Sequence, residues 1–137
     1  MPTTSWDDLT IGTSVDVPFV VSRIDMDTFS RLSGDANPIH MDDEFASGIG
    51  FKGPVVFGAL IVAKISMMLG MYLPGPGSVW AGLKIDFRNP LYIGESAILH
   101  GEVDHASPAT GMLSLKLSVR VGDRLIATAS AESVFKP

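Results

Sequence analysis

The chain has 137 residues, the size of one domain, which leaves no room for a separate cofactor domain beside a catalytic one. Its 15 acidic and 10 basic side chains give a formal charge of −5, and no run of Lys or Arg exists to grip the phosphates of a nucleic acid. Cysteine is absent, which excludes disulfides, Cys-ligated zinc, iron–sulfur clusters and thiol nucleophiles, and fits a reducing cytoplasm.

The opening segment MPTTSWDDLTIG carries acid and no apolar stretch, so no signal peptide is expected. Residues 14–23 read as a first strand, with Pro18 marking an edge or a bulge. Asp25 is placed as the N-cap of a short helix running to about Leu32 and ended by Gly34. Residues 35–43 contain Asn37-Pro38. The residue before a proline avoids the helical region, so this stretch reads as an ordered loop. A further short helix is expected from Asp43 or Glu44 to Ser47.

Gly53 to Leu73 is apolar over about the length of a membrane span. Lys64 and Ser66 near its middle oppose that reading, because a central Lys costs about 3 kcal/mol on insertion. A helix over 56–72, apolar nearly all round, instead suits the buried centre of a globular fold. Pro74-Gly75-Pro76-Gly77 stops it. Beyond Gly77 the period becomes two. Ala81, Leu83, Ile85 and Phe87 alternate with polar residues and glycine, and Leu113, Leu115, Leu117, Val119 and Val121 do so strictly. Residues 97–105 and 125–135 complete four strands, with Gly122-Asp123 at hairpin spacing.

The layout is an α+β fold in which all of residues 1–137 form a single domain: an antiparallel sheet wrapped around one long central helix. A sheet with one apolar face needs a cover, and only the 56–72 helix can supply it. The exposed sheet edges point to a homodimer.

Three histidines exist, His40, His100 and His105. His40 lies five residues after Asp35 in Ser33-Gly34-Asp35-Ala36-Asn37-Pro38-Ile39-His40. A carboxylate and an imidazole held together can share a water, one taking a proton while the other holds or returns one. By spacing alone, a turn-capping Asp35 and a surface His40 are the commoner reading, since Asp and His within five residues of each other occur often by chance. His100, Glu102 and Asp104 share a strand face and read as solvated surface rather than a metal site. Met67, Met68 and Met71 fill irregular apolar space on the central helix.

The stretch from Phe29 to His40, with its Gly-Asp-x-Asn-Pro-x-His core and Ala46 beyond it, resembles the hydratase motif of (R)-specific enoyl-CoA hydratases. These belong to the MaoC-like group of the hot-dog fold. Phe51 to Gly58 and Phe87 to Glu95 are similar to further segments of that family, so the resemblance spans about residues 10–135. It implies a single hot-dog domain, working as a dimer without a cofactor or metal. Water is then added to a trans-2-enoyl thioester on CoA or an acyl-carrier protein, giving the (R)-3-hydroxyacyl product, and the reverse is a dehydration. It implies Asp35 as general base and His40 as the partner that holds the water and returns the proton. Gly58 corresponds to the glycine whose backbone N–H meets the thioester oxygen, at the first turn of the central helix. Asn37, Ser66, Leu69 and Val134 are the expected substrate-binding residues. Phe57 departs from the pattern, since many members carry His there; it reads as a core aromatic. Lys52, Lys84, Arg88 and Arg124 are the cations available to the substrate's phosphates.

Two other classes compete. A hot-dog thioesterase needs a carboxylate aimed at the thioester carbon, often from the central helix, which here offers only Lys64 and Ser66. A non-catalytic acyl-thioester-binding subunit has no need of the Asp35/His40 pair.

Overall fold

The computed structural model describes residues 5–135. Five strands, β1 (Ser14–Phe19), β2 (Ser78–Phe87), β3 (Ala97–Ser107), β4 (Met112–Val121) and β5 (Arg124–Phe135), form one antiparallel sheet in the order β1-β3-β4-β5-β2. The helices are α1 (Arg23–Ser33), α2 (Pro38–Met41), α3 (Asp43–Gly48) and α4 (Gly58–Met71). The expected wrapping is present. Leu60, Ile61, Ile65, Met68 and Leu69 of α4 are buried in one cluster with Leu99 and Val103 of β3, Leu113, Leu115, Leu117 and Val119 of β4, and Ala127, Ala131 and Phe135 of β5. Each large apolar side chain so buried contributes roughly 1.5–3 kcal/mol. The helix comes so close to β3 that a Cβ at Gly101 would lie 2.6 Å from Met68 Cε.

Three local expectations change. The N-cap of α1 is Ser22, not Asp25. Ser22 Oγ accepts from the Asp25 N–H at 3.1 Å and Asp25 Oδ2 accepts from the Ser22 N–H at 2.9 Å, a reciprocal capping box. The first strand accordingly ends at Phe19. Residues 38–41, read as loop, form the short helix α2. The restriction before proline acts on Asn37, which sits outside as the N-cap, while Pro38 at N1 has its φ preset for the helix. Finally, α4 is not buried all round: its Ala59, Ala63, Ser66 and Gly70 face outward and are exposed. With 14 residues, α4 falls short of a span, and no helix among the described residues is long and apolar enough to cross a membrane.

The sheet edges are β1 and β2. In β2 the alternation read from Ala81 onward meets a bulge: Trp80 pairs with Ser133 and Gly82 with Glu132, so Ala81 is the extra residue. The indole N–H of Trp80 donates to the Gly82 carbonyl at 2.8 Å across it. Beyond the bulge Leu83 and Ile85 face the core, and Phe87 follows them half in the open at 51% exposure.

Candidate active site

The segment after α1 is shaped by its own side chains. Gly34 ends α1 in the left-handed conformation at φ 81°. Asp35 Oδ1 accepts the Asn37 N–H at 3.0 Å, and Asn37 Oδ1 accepts the Ile39 N–H at 3.1 Å. These two Asx turns hand the chain into α2, whose third residue is His40. Ile39 O then accepts the Val55 N–H at 3.0 Å.

His40 Nδ1 lies 2.6 Å from the carbonyl oxygen of Val55. A carbonyl only accepts, so Nδ1 carries the proton and Nε2 of the neutral ring is left as an acceptor. The ring packs on Phe57 with centroids 4.2 Å apart, and Phe57 packs in turn on Phe29 at 4.8 Å. Phe57 is therefore the core aromatic expected, and it holds the imidazole by its face instead of by a hydrogen bond.

Phe57 is also the N-cap of α4 and makes no side-chain cap bond. Gly58 stands at N1, where a backbone N–H has no carbonyl four residues back and the positive end of the helix dipole lies. His40 and Gly58 share one cavity of about 340 Å³, walled also by Ile61, Phe87, Arg88 and Leu91. The ring of Phe87 lies against Gly58 so closely that a Cβ there would meet its Cζ at 2.9 Å. Only glycine lets Phe87 lie there unmoved.

Asp35 is exposed and does not line this cavity, and neither does Asn37. Ser66 lies on the outward face of α4, while Leu69 is in the core. Val134 pairs with Met112 and alternates with the buried Ser133 and Phe135, so it stands on the sheet face turned away from α4. Within one chain these three do not converge on the cavity at His40. Of the four candidate cations, only Arg88 lines it, with its Nη2 3.8 Å from Asp86 Oδ2. A larger cavity of about 470 Å³ is bounded by Arg23, Asp43, Lys52, Tyr92 and Glu95. It holds no imidazole, and Arg23 is paired with Asp43 at 3.0 Å. Among the described residues no group of three or more potential ligands could hold a metal. His100 instead meets Asp16 across β1 and β3 at 2.7 Å, and a register shift between Val103 and His105 interrupts the shared face read from the sequence.

Two features of the site had no signal in the sequence. The Val55 carbonyl is a backbone group, and the contact of Phe87 with Gly58 joins positions far apart in the chain.

Residues 8–121 match the MaoC like domain family. The chain is 31% identical over 121 residues to a 3-hydroxybutyryl-CoA dehydratase of Methylorubrum extorquens, covering 88% of this chain and 77% of that one. It is 27% identical over 121 residues to an (R)-specific enoyl-CoA hydratase of Rhodospirillum rubrum, covering 88% and 84%. The solved (R)-hydratase of Aeromonas caviae, described as involved in PHA biosynthesis, superimposes with a TM-score of 0.89 at 28% identity, over 93% of this chain and 98% of that one. These relatives are named as hydratases and dehydratases, two directions of hydro-lyase chemistry, and the superposition shows the hot-dog fold expected from the sequence. The chain belongs to the MaoC-like domain family.

Proposed function

We propose that the protein is a hydro-lyase that adds water across the double bond of a trans-2-enoyl thioester, on CoA or an acyl-carrier protein, and gives the (R)-3-hydroxyacyl product. The observation that carries this reading is the His40–Val55 contact beside Gly58. With Nδ1 engaged there, Nε2 is the ring nitrogen left to act, and His40 lines the same cavity as Gly58, the first residue of α4.

The thioester oxygen sits on the Gly58 N–H. Water donates one hydrogen to His40 Nε2 and the other to the Asp35 carboxylate, the general base. As the water oxygen bonds to the β-carbon, the π-electron pair moves toward the α-carbon and the thioester oxygen. Negative charge grows on that oxygen, and a donor already aimed there favours the transition state, by about 3–4 kcal/mol for a typical oxyanion donor. The Asp35/His40 pair returns a proton to the α-carbon on the same face. Hydroxyl ends on Cβ and hydrogen on Cα, so the step balances without a cofactor. Since Nδ1 is engaged with Val55, the ring gives a proton only after Nε2 has gained one.

The assembly that does this is a homodimer. The free edge of β2, with Val79 59% and Phe87 51% exposed, and the outward face of α4 leave apolar surface for a second copy to cover. That copy also closes the site over Asp35 and completes the acyl pocket near Ser66. A thioesterase lacks support, because α4 carries no carboxylate.

The test is the ultraviolet absorbance of crotonyl-CoA. Loss of the enoyl signal without release of thiol supports hydration. Thiol release without hydration overturns it in favour of the thioesterase. If neither occurs with short, long or carrier-linked enoyl substrates, the chain is a binding subunit.

A further inference from the structure

Arg124, considered above as a cation for substrate phosphates, is engaged elsewhere. It opens β5 after the Gly122-Asp123 hairpin and turns back over the loop between β2 and β3. There its Nη2 donates to Glu95 Oε1 and lies 3.4 Å from the Pro90 carbonyl. Its guanidinium carbon stands 6.0 Å from the centroid of the Tyr92 ring. The same Glu95 oxygen accepts the Tyr92 N–H at 2.8 Å, closing the turn 92–95 from within. Burial alone would push the Glu95 carboxyl up. The Arg124 and Tyr92 hydrogen bonds outweigh it and hold the group below the ordinary glutamate range.

This clamp bears on the active site through the backbone. Tyr92 forms an antiparallel bridge with Val55, and the Val56 N–H donates to Leu91 O at 2.8 Å. The Tyr92 hydroxyl accepts the Lys52 N–H at 3.3 Å. The segment 52–56 is thus laid along 91–92, and its Val55 carbonyl is the group that receives the His40 Nδ1–H. Residues 51–56 and 90–95 both contribute walls to each of the two cavities. We propose that Arg124 and Glu95 are positioning residues that, by locking the 92–95 turn against segment 52–56, place the Val55 carbonyl and so set the tautomer and orientation of His40.

The proposal rests on His40 acting in the reaction, so its test reads the ring as well as turnover. Glu95→Gln keeps the side chain's shape and an acceptor for Tyr92 but loses the charge that meets Arg124. Arg124→Gln removes the guanidinium. With three histidines in the chain, the His40 ring nitrogens can be followed by nitrogen NMR after assignment with His100→Gln and His105→Gln. Wild type is expected to show a single Nδ1–H tautomer for His40. Both clamp variants are expected to show a mixture of tautomers and a kcat on crotonyl-CoA lower by about tenfold, with KM changed less than about twofold. A pure Nδ1–H tautomer retained in a folded variant overturns the proposal whatever kcat does, because a merely structural role lowers stability without moving the ring proton. Should Arg124→Gln not fold, Glu95→Gln decides alone. If wild type fails to hydrate enoyl thioesters, the proposed activity fails, and the tautomer comparison still decides the clamp.

Discussion

His40 and Val55 are fifteen positions apart, yet the imidazole Nδ1 of one meets the carbonyl oxygen of the other at 2.6 Å. That contact settles which ring nitrogen is basic. It follows from α2 ending against the segment that leads into α4, and it makes a short helix beginning at a proline the holder of that ring.

Removing either member of the proposed pair should stop the chemistry without unfolding the chain. Asp35→Asn and His40→Ala are each expected to lower the hydration rate by roughly 10²–10⁴-fold. Far-ultraviolet circular dichroism should stay at the wild-type level, since Asp35 is exposed and its turn is also supported by Gly34 and Asn37. Near-normal turnover of crotonyl-CoA by either variant would sink the assignment.

Gly58 is a steric prediction as well as a chemical one. Gly58→Ala drives a methyl group into the Phe87 ring at 2.9 Å, an overpacking that costs about 1–3 kcal/mol. The urea midpoint should fall accordingly. Phe87→Leu added to Gly58→Ala should recover a good part of the loss. If the single variant is as stable as wild type, the half-exposed Phe87 ring swings aside for the methyl group without cost.

Low pH should weaken the Glu95–Arg124 clamp in a definite direction. The Glu95 carboxyl is held below the usual glutamate value of 4.5 in the folded chain, so the unfolded chain takes up that proton first as pH falls. The contribution is therefore complete above 4.5 and disappears as pH drops through the lower folded value. Denaturant midpoints taken at roughly pH 6, 4.5 and 3 should decline less steeply for Glu95→Gln than for wild type. Identical slopes would show that the pair carries no pH-linked stability.

The start of α1 offers a check far from the site. Ser22→Ala removes the acceptor for the Asp25 N–H and should cost about 1 kcal/mol. Asp25→Asn leaves the Ser22 half of the box intact and should cost less. A reversed order, read from urea titrations, would mean that Asp25 is the dominant cap, and equal losses that the two halves of the box contribute alike.

Much of this was legible in the sequence because it depends on local period and local stereochemistry. Leu113 to Val119 alternate in the sequence and alternate in burial, since a strand has no other way to present one apolar face. The apolar run after Gly58 had to be covered, and only a sheet of this size could cover it. The Gly-Asp-x-Asn-Pro-x-His motif carried its own turn chemistry: Gly34 stops one helix and Asn37 with Pro38 starts the next. Even here the choice between Ser22 and Asp25 as cap turned on a reciprocal hydrogen bond that propensity does not rank.

What the tertiary structure alone decided is where separate stretches meet. The bulge at Ala81 shifts the phase of β2, and the alternation of β5 from Ala131 to Phe135 turns Val134, expected to bind substrate, to the sheet face away from α4. The basic nitrogen of His40, the closeness of Phe87 to Gly58 and the hold of Arg124 on the 92–95 turn each join residues with no shared period. Period and capping are properties of a few consecutive residues, so a sequence states them directly. The orientation of an imidazole is set by whichever distant carbonyl the packed sheet and helix bring within reach, and only folding makes that choice.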